Sequence, residues 1–422
     1  MEVKIVDEKK LRAENSDRIS NLPDSLLIEI LSWLDAWEAV QTCILSKRWR
    51  SLWTFVPYLY FDFDDFGDDT ECFNNFVSSF LRLRDDATNV CTFTLKYSVP
   101  DDAEISGLIN PWILYALNHK VKNLEVDLFG KRCGCLTDCL FTCASLKYLH
   151  LNCYYEIQPN IVCLPKLRFL SLYGVFMPNV SIEKIISGCP SLKTLSMHRC
   201  FIAMMNGISF QTIKSLTIEK CDFYSRYDLP NFDISAPCLE YIKFVKGWGP
   251  SVTFKDMSKL TQAMLIMTMN SENDTDCHFL SGMLGVETLA IGSIHLKELL
   301  TGELKNCRQL QKLKSILLGV CCMHCDFGTC AMLLKYCPNL EHLCLMHSVE
   351  FCRVDHSGEV TLENLEEIEG SSCRNLKSIE IVWYQSHHSV QQLQQLLLHW
   401  TKKIHGVQIK SSEIMFESLL RP

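Results

Sequence analysis

The feature that most constrains the fold of this chain is a short apolar pattern that returns along most of its length. The pattern is L-x-x-L-x-L, with Ile, Val, Met or Phe also allowed at the apolar positions. A unit of this kind carries one short strand with two or three apolar side chains, which it cannot bury alone. Neighbouring units must therefore stack. The clear copies begin at Val121, Leu146, Leu167, Leu192, Ile213, Leu239, Leu313, Leu340 and Leu376.

The spacing of the copies indicates the type of repeat. The starts between residues 121 and 239 lie 21 to 26 residues apart, within the range of about 20–29 residues that is typical of leucine-rich repeats. We expect a solenoid with a parallel sheet on its concave side and helical segments such as Ser181–Gly188 on its convex side. Long loops are expected near 268–278 and 350–362. Weaker copies begin at Val56, Val90, Leu260, Val286 and Ile404.

The first sixty residues have a different pattern. Residues 1–17 are of mixed charge, and we expect a mobile tail. Pro23 is suited to the first turn of a helix, whose apolar stripe is Leu26, Ile30 and Leu34. A second short helix is predicted over Glu38–Leu45, and a third after Ser46, on which Trp49, Leu52 and Trp53 share a face. Three short helices bury little surface alone, so the pattern indicates a module built to dock.

This stretch resembles the F-box of plant F-box/leucine-rich-repeat proteins. The resemblance covers residues 17–62 and lies in the Leu-Pro start, the helix LLIEILSWLD and the run LSKRWRSLW, in that order and spacing. Trp37 departs from it, since a small or polar residue is more usual there. The resemblance implies binding to a Skp-type adaptor and, through it, to the cullin of an SCF ubiquitin ligase. The matching adaptor-binding positions are Leu22, Pro23, Leu26, Ile30, Leu34, Val40, Ile44, Leu45 and Trp49.

The third and fifth positions of each L-x-x-L-x-L copy should point away from the core. Read in order, they are mostly neutral, hydroxylated or aromatic, which suits contact with a protein. They lack the clustered Arg and Lys that nucleic-acid binding requires, and the net charge is −8. We therefore predict a protein substrate on this face. The candidate substrate-binding residues are Tyr148, His150, Phe169, Tyr241 and Lys243.

The chain contains 23 cysteines, which could indicate disulfides, a metal or a reducing compartment. The charged N-terminus has no apolar core like that of a secretory signal, and no apolar run is long enough to span a bilayer. We expect reduced thiols that act mainly as small buried side chains. The nucleus or the cytoplasm is the expected location, and a membrane partner is not expected.

Two segments could carry chemistry of their own. The run CCMHCDFGTC contains Cys322 and Cys325 with zinc-ligand spacing but without a second close pair, so a thiol-rich turn is the preferred interpretation over a metal site. The acidic run Asp62–Glu71 lacks the ligand order of a calcium loop and is predicted to be a solvated loop. No enzyme motif appears, so we expect a non-catalytic adaptor without metal or cofactor.

The domain organisation follows from these patterns. We predict a tail over 1–17, a three-helix F-box over 18–62, repeats over 63–388 with weak first copies over 56–120, and a capping helix with a last strand over 389–422. The fold class is α/β. Three functions stay open: a substrate receptor of an SCF ligase, a non-degradative F-box scaffold, and a metal-dependent module at Cys322 and Cys325.

Overall fold

The structure, a computed structural model, resolves into two compact units. One covers Met1–Cys153 and the other Tyr154–Pro422. The described residues are 19, 21–98, 106–129, 138–154, 156–178, 181–203, 207–224, 231–246, 251–267, 279–293, 296–304, 307–321, 332–347, 375–383 and 408–413. The predicted boundary at residue 62 does not separate the units, because the N-terminal module and the first strands belong to the same one.

The N-terminal module contains two short α-helices, α1 (Asp24–Leu31) and α2 (Ala36–Gln41), and a 3₁₀ turn over Thr42–Ile44. The Asp35 carboxylate accepts a hydrogen bond from the Glu38 backbone N–H at 2.7 Å, so α2 begins earlier than predicted. The predicted third helix is instead a run of turns followed by a 3₁₀ turn over Leu52–Phe55. Trp49, Leu52 and Trp53 are buried together there, as their spacing predicts.

The first unit also contains a parallel sheet with one strand per repeat. Its order is β1 (Tyr58–Asp62), β2 (Thr92–Ser98), β3 (Asn123–Phe129) and β4 (Tyr148–Asn152). Strands β3 and β4 alternate buried and part-exposed side chains, because successive residues point to opposite faces. The weak copies from Val56 and Val90 are therefore repeats of the sheet.

Two helices of the first unit were not predicted: α3 (Thr70–Leu83) and α4 (Ser106–Asn118). The core of α3 is Phe73, Val77, Phe80 and Leu81, which have helical spacing and face inward. The acidic run over 62–71 is accordingly not a simple solvated loop, because it ends β1, forms a 3₁₀ turn over Phe63–Phe66 and starts α3. The Asp62 carboxylate accepts from the Asp64 backbone N–H at 3.2 Å, and the Asp69 carboxylate accepts from the Cys72 backbone N–H at 2.9 Å, so both cap the elements that follow them. Phe63 is buried.

The second unit confirms the remaining copies of the repeat. Each contributes a strand to a parallel sheet, in sequence order and in register. The helix α5 (Ser181–Gly188) forms where a helical segment was expected, and α6 is Leu296–Leu304. The strands of this sheet are β5 (Phe169–Tyr173), β7 (Thr194–His198), β10 (Ser215–Tyr224), β12 (Tyr241–Lys246), β14 (Gln262–Met267), β15 (Thr288–Ser293), β16 (Ser315–Cys321), β17 (His342–His347), β18 (Ser378–Trp383) and β19 (Gln408–Glu413).

A repeated turn adds strands that the apolar pattern did not predict. The residue at the start of this turn has a positive φ in three successive repeats. The values are 70° at Gly174, 50° at Arg199 and 53° at Lys220, which occupy the same position of their repeats. The turn leads into β6 (Phe176–Met177) and β8 (Phe201–Ala203), which pair with each other. Strand β8 also pairs with the end of β10. A separate parallel sheet contains β9 (Gly207–Ser209), β11 (Asn231–Ser235) and β13 (Ser251–Lys255). Among the helices in the described part of the chain, none has the length and apolar character required to cross a membrane.

Candidate docking surfaces

Helix α1 has two apolar faces with opposite environments. Leu27 and Leu31 are 0% exposed and form the core of the N-terminal module. Leu26 and Ile30, one helical turn apart, are 43% and 44% exposed. A short helix that needed only to fold would direct its leucines inward, so the second face is available to a partner.

The exposed apolar surface continues beyond α1. Ile44 is 87% exposed and Leu45 is 62% exposed, both at the turn that follows α2. Pro23 is also exposed, whereas Leu22, Leu34 and Val40 are half-buried. Trp49 differs from the other predicted adaptor-binding residues. It is 6% exposed and belongs to the core of the module, so its side chain is not part of this surface.

Arg48 connects the start of the module to its last turns. Its Nε donates to the Asp24 carboxylate at 2.7 Å, and its Nη2 donates to the Leu22 carbonyl oxygen. The two contacts hold the Leu-Pro start beside the segment that carries Trp49. The pair with Asp24 lies at the surface, so its role is to position the chain more than to stabilise it.

Trp37, the departure from the usual F-box pattern, has a structural role here. Its ring centroid lies 5.1 Å from that of Phe66 and 5.2 Å from that of Phe76, both in edge-on geometry. The Trp53 ring lies 4.8 Å from that of Phe80 on α3. Aromatic pairs at these distances attract beyond the area they bury. The module is thereby packed onto the helix that follows the first strand of the sheet.

The outward face of the first sheet carries the predicted residues Tyr148 and His150, both half-buried. Glu125 and Asp127, on the neighbouring strand, face the same way. The His150 Nε2 lies 3.1 Å from the Asp127 carboxylate. At the other end of this sheet Lys96 donates to the Tyr60 hydroxyl at 2.6 Å. The face is therefore a hydrogen-bonded polar network and not a neutral surface.

The pKa values on this face reflect that network. Burial, with the charge and hydrogen bond of Glu125, raises the pKa of Tyr148 to about 12. Burial alone would raise the pKa of the Asp127 carboxyl. The hydrogen bond and the charge of His150 act against burial, with smaller effects of Asn152 and Lys96, and the net result is a lowered pKa for Asp127. Tyr148 therefore presents a neutral hydroxyl, and Asp127 presents a carboxylate held by a histidine.

On the outward face of the second unit, Phe169, Tyr241 and Lys243 are half-buried. The repeat register places Phe169 and Tyr241 in one row across the strands, separated by Thr194 and Ser215. All five predicted substrate-binding residues thus lie on outward faces of the sheets, and none is core. Their contact with a substrate remains a prediction.

A second row of outward-facing residues was not predicted from the sequence. Each of its members lies directly after the last apolar position of an L-x-x-L-x-L copy, outside the positions that the motif defines. It contains Tyr173, His198 and Glu219, which lie side by side on β5, β7 and β10. The Glu219 carboxylate is 3.0 Å from the Lys243 ammonium and 3.4 Å from His198 Nδ1. This row could have been found in the sequence by also reading the residue that directly follows each motif copy. This row makes the face charged, which corrects the prediction of a neutral surface.

Ser196, His198 and Glu219 have the hydrogen-bonding order of a nucleophilic triad. The Ser196 hydroxyl is 2.7 Å from His198 Nε2, and His198 Nδ1 faces Glu219. Acyl transfer also requires N–H donors for the oxyanion. Ser196 lies on β7, whose paired neighbours β5 and β10 take up its backbone N–H groups, and Lys243 shares the Glu219 carboxylate. The geometry suits recognition by hydrogen bonds better than catalysis.

Farther along the second unit the outward face becomes apolar. Met264, Ile266, Leu317 and Met346 are half-buried on β14, β16 and β17. Gly319 lies among them on the face, where an added Cβ would meet the Leu317 side chain at 3.2 Å. The same sheet therefore offers both a polar and an apolar region for contact.

Comparison with known families decides the classification. The F-box domain model matches residues 19–59. The model described as At1g61320/AtMIF1, LRR domain, matches residues 84–415, well over half of the chain. The chain belongs to the F-box/LRR-repeat protein family.

Three similar members of the family are from Arabidopsis thaliana. A putative FBD-associated F-box protein, At5g22720, is 34% identical over 266 residues, which span 62% of this chain and 56% of that relative. The F-box/FBD/LRR-repeat protein At5g22700 is 29% identical over 90% of this chain and 91% of its own length. F-box/LRR-repeat protein 13 is 31% identical over 80% of this chain and 78% of its own length. The recognised F-box and repeats are therefore those of a plant F-box/LRR protein.

Several predictions concern residues outside those that the structure describes. They are the tail over 1–17, the loops near 268–278 and 350–362, the thiol-rich segment with Cys322 and Cys325, and the capping helix over 389–404. These stay predictions of the F-box/LRR sequence.

Proposed function

We propose that this F-box/LRR protein is the substrate-recognition subunit of an SCF ubiquitin ligase. The F-box docks a Skp-type adaptor and, through it, the cullin, while the outward faces of the repeat sheets hold a protein substrate. The protein contributes no catalytic residue and no cofactor in this role. It raises the rate of ubiquitin transfer by keeping the substrate close to the ubiquitin-carrying enzyme.

The observation that supports the adaptor role best is the exposed apolar surface of the F-box. Leu26, Ile30, Ile44 and Leu45 are 43% to 87% exposed, although Leu27 and Leu31 on the same helix are fully buried. Burial of exposed apolar surface contributes about 25 cal/mol per Å². A partner that covers this surface therefore gains affinity without any change in the core of the module.

The adaptor role is tested by replacing residues on the exposed face of α1 and at the Leu-Pro start that precedes it. Leu26→Ala combined with Ile30→Ala should lower the affinity for a purified Skp-type adaptor at least about tenfold, without lowering the melting temperature. Leu22→Ala with Pro23→Ala should likewise abolish co-purification of the adaptor. Leu284→Ala, which removes a similarly exposed leucine from the second unit, is the matched control.

Undiminished adaptor binding by both double variants would refute the docking surface. Adaptor binding without co-purification of cullin would instead favour a non-degradative F-box scaffold. The adaptor and the cullin are quantified in one affinity purification, so the two outcomes are distinguished in the same preparation.

The substrate role is supported by the mixture of side chains on the outward faces. Aromatic residues such as Tyr148 and Tyr241 stand among hydroxyls and paired charges, a composition that suits protein contact. Hot spots of protein interfaces favour Tyr, which combines apolar area with a hydroxyl. The substrate would be identified by affinity purification with the proteasome inhibited, followed by mass spectrometry.

We also propose the nucleus or the cytoplasm as the site of action. Cys189, Cys200 and Cys221 are buried free thiols, and burial raises the pKa of Cys189 to about 12. Reduced thiols of this kind are typical of compartments that keep cysteines reduced. Fractionation of cells that express a tagged protein would test this location.

A further inference from the structure

A row of basic residues lies at the amino-terminal edge of the sheet in the second unit. Arg168, Lys193 and Lys214 each directly precede the first residue of a strand, and all three are exposed. Lys166, also exposed, lies two residues before Arg168. This concentration of positive charge occurs in a chain whose net charge is −8. We call these residues the cationic row.

Backbone hydrogen bonds fix the geometry of the cationic row. The Lys193 N–H donates to the Arg168 carbonyl oxygen at 2.9 Å, and the Lys214 N–H donates to the Lys193 carbonyl oxygen at 2.8 Å. The three residues are therefore equivalent positions of adjacent repeats. Their backbones are spaced by roughly 4.8 Å, the distance between neighbouring strands.

The charges of the cationic row are only partly balanced. The Lys214 ammonium lies 2.6 Å from the Glu240 carboxylate. At the same repeat position farther along the sheet, Lys314 pairs with Glu287 at 2.8 Å, and Lys377 pairs with Glu341. Arg168 and Lys193 differ from these. Among the residues that the structure describes, no carboxylate lies within ion-pairing distance of either cation.

We propose that Arg168 and Lys193, with Lys166 beside them, bind a phosphorylated serine or threonine of a protein segment. A single carboxylate carries one negative charge, whereas a phosphate monoester carries about −1.5 to −2 at pH 7. It also has three acceptor oxygens, which can bridge an arginine and a lysine on adjacent strands. The charge of the ligand thus matches the charge that the repeat leaves unpaired.

The neighbouring outward face suits the rest of such a segment. Thr194 and Ser215 follow Lys193 and Lys214 directly and lie in register on adjacent strands. Their hydroxyls can accept or donate hydrogen bonds without adding charge. The inference deepens the proposed substrate role, because it assigns a chemical class to the substrate.

The test uses the full chain, purified with its adaptor, and immobilised degenerate peptide libraries. The libraries differ at one fixed central residue, which is phosphoserine, serine or glutamate. We expect the phosphoserine library to retain at least about ten times more protein than either of the others. The retained fraction should fall as salt is raised from about 50 to 500 mM, because the row is exposed.

Variants assign the binding to the cationic row. Arg168→Ala with Lys193→Ala should reduce retention on the phosphoserine library to that of the serine library. Arg168→Lys with Lys193→Arg keeps both charges and should preserve most of it. Lys314→Ala with Lys377→Ala is the matched control. It removes two charges from the same repeat position, but from residues that already have carboxylate partners.

Three results would overturn the proposal. They are equal retention on the serine and phosphoserine libraries, equal retention on the glutamate library, and an equal loss in the control variant, which would indicate a general effect of net charge. Adaptor binding is measured in the same samples by gel filtration. A failure of the adaptor role is thereby seen separately from a failure of phosphate recognition.

Discussion

At the scale of single residues, Arg84 shows how a charged side chain can be a structural element. It follows α3 directly and is 3% exposed. Its guanidinium donates to the carbonyl oxygens of Val56 at 2.7 Å and Thr88 at 3.1 Å, and its Nη1 lies 3.4 Å from the Tyr115 hydroxyl. It thereby joins the end of the F-box, the loop after α3 and helix α4.

We predict that Arg84→Met lowers the free energy of unfolding by about 1–3 kcal/mol, since it leaves buried carbonyl oxygens without donors. Arg82→Met removes an exposed arginine of α3 and should change the free energy of unfolding by less than about 0.5 kcal/mol. Urea denaturation of both variants measures the difference. Equal values would show that the contacts of Arg84 are dispensable.

Asp127 leads to a pH-dependent prediction. Its pKa in the folded protein is lowered, so its contribution to stability is present above the unfolded pKa and is lost as the pH falls through the folded one. Between about pH 5 and pH 3, wild type should lose more free energy of unfolding than Asp127→Asn does. Denaturation curves at both pH values test this. Parallel losses in the two proteins would contradict the pairing with His150.

At the scale of elements, helix α3 connects the F-box to the repeats. Its Phe80 ring is 3% exposed and lies 4.8 Å from Trp53 of the F-box and 5.3 Å from Phe61 of β1. An isolated F-box buries little surface, because it is small. The helix supplies the missing core, and the F-box and the first strands therefore form one compact unit.

We predict that Phe80→Ala destabilises the protein by about 3–5 kcal/mol through the cavity it leaves. The F-box should unfold together with the first strands, which lowers adaptor binding near the new melting temperature. Phe129→Ala removes a phenylalanine that is 49% exposed on β3 and should have little effect. Tryptophan fluorescence and circular dichroism would follow the two transitions. Separate transitions for the F-box and the first strands would refute the coupling.

At the scale of the whole molecule, recognition depends on what each sheet presents to solvent. The first unit has a hydrogen-bonded polar face, and the second changes from a charged region around Glu219 to an apolar region around Met264 and Met346. A parallel sheet with one strand per repeat places unrelated residues in rows, so each repeat can vary its outward side chains while its core stays the same.

We predict that replacing Tyr148, Phe169 and Tyr241 together by Ala weakens substrate capture by more than about 2 kcal/mol, because interface hot spots favour aromatic residues. Adaptor binding and the melting temperature should change little, since all three side chains lie on outward faces. Quantitative affinity purification with the proteasome inhibited measures the capture. A collapse of stability would identify these rings as core, and unchanged capture would place the substrate elsewhere.

The sequence by itself determined the repeat, its register and the F-box. An apolar residue at every third or second position must be buried, so L-x-x-L-x-L specifies a strand and its inward face wherever it occurs. The copies from Val121 to Leu376, and the weaker ones from Val56 to Ile404, accordingly form parallel strands. The docking role of Leu26 and Ile30 was expected from the resemblance to the F-box, and the structure adds that they are exposed while Leu27 and Leu31 are buried.

Only the tertiary structure decided the features that depend on contacts between distant segments. Trp49 shares its motif with docking residues, yet the packing of the F-box buries it. His198 and Glu219 each lie directly after an apolar motif copy. They come within ion-pairing distance of each other only because β7 and β10 are adjacent strands. Arg168 and Lys193, which have no carboxylate partner among the described residues, depend on the tertiary structure in the same way. Whether such a cation is paired depends on the neighbouring repeat, about twenty residues or more away in the chain.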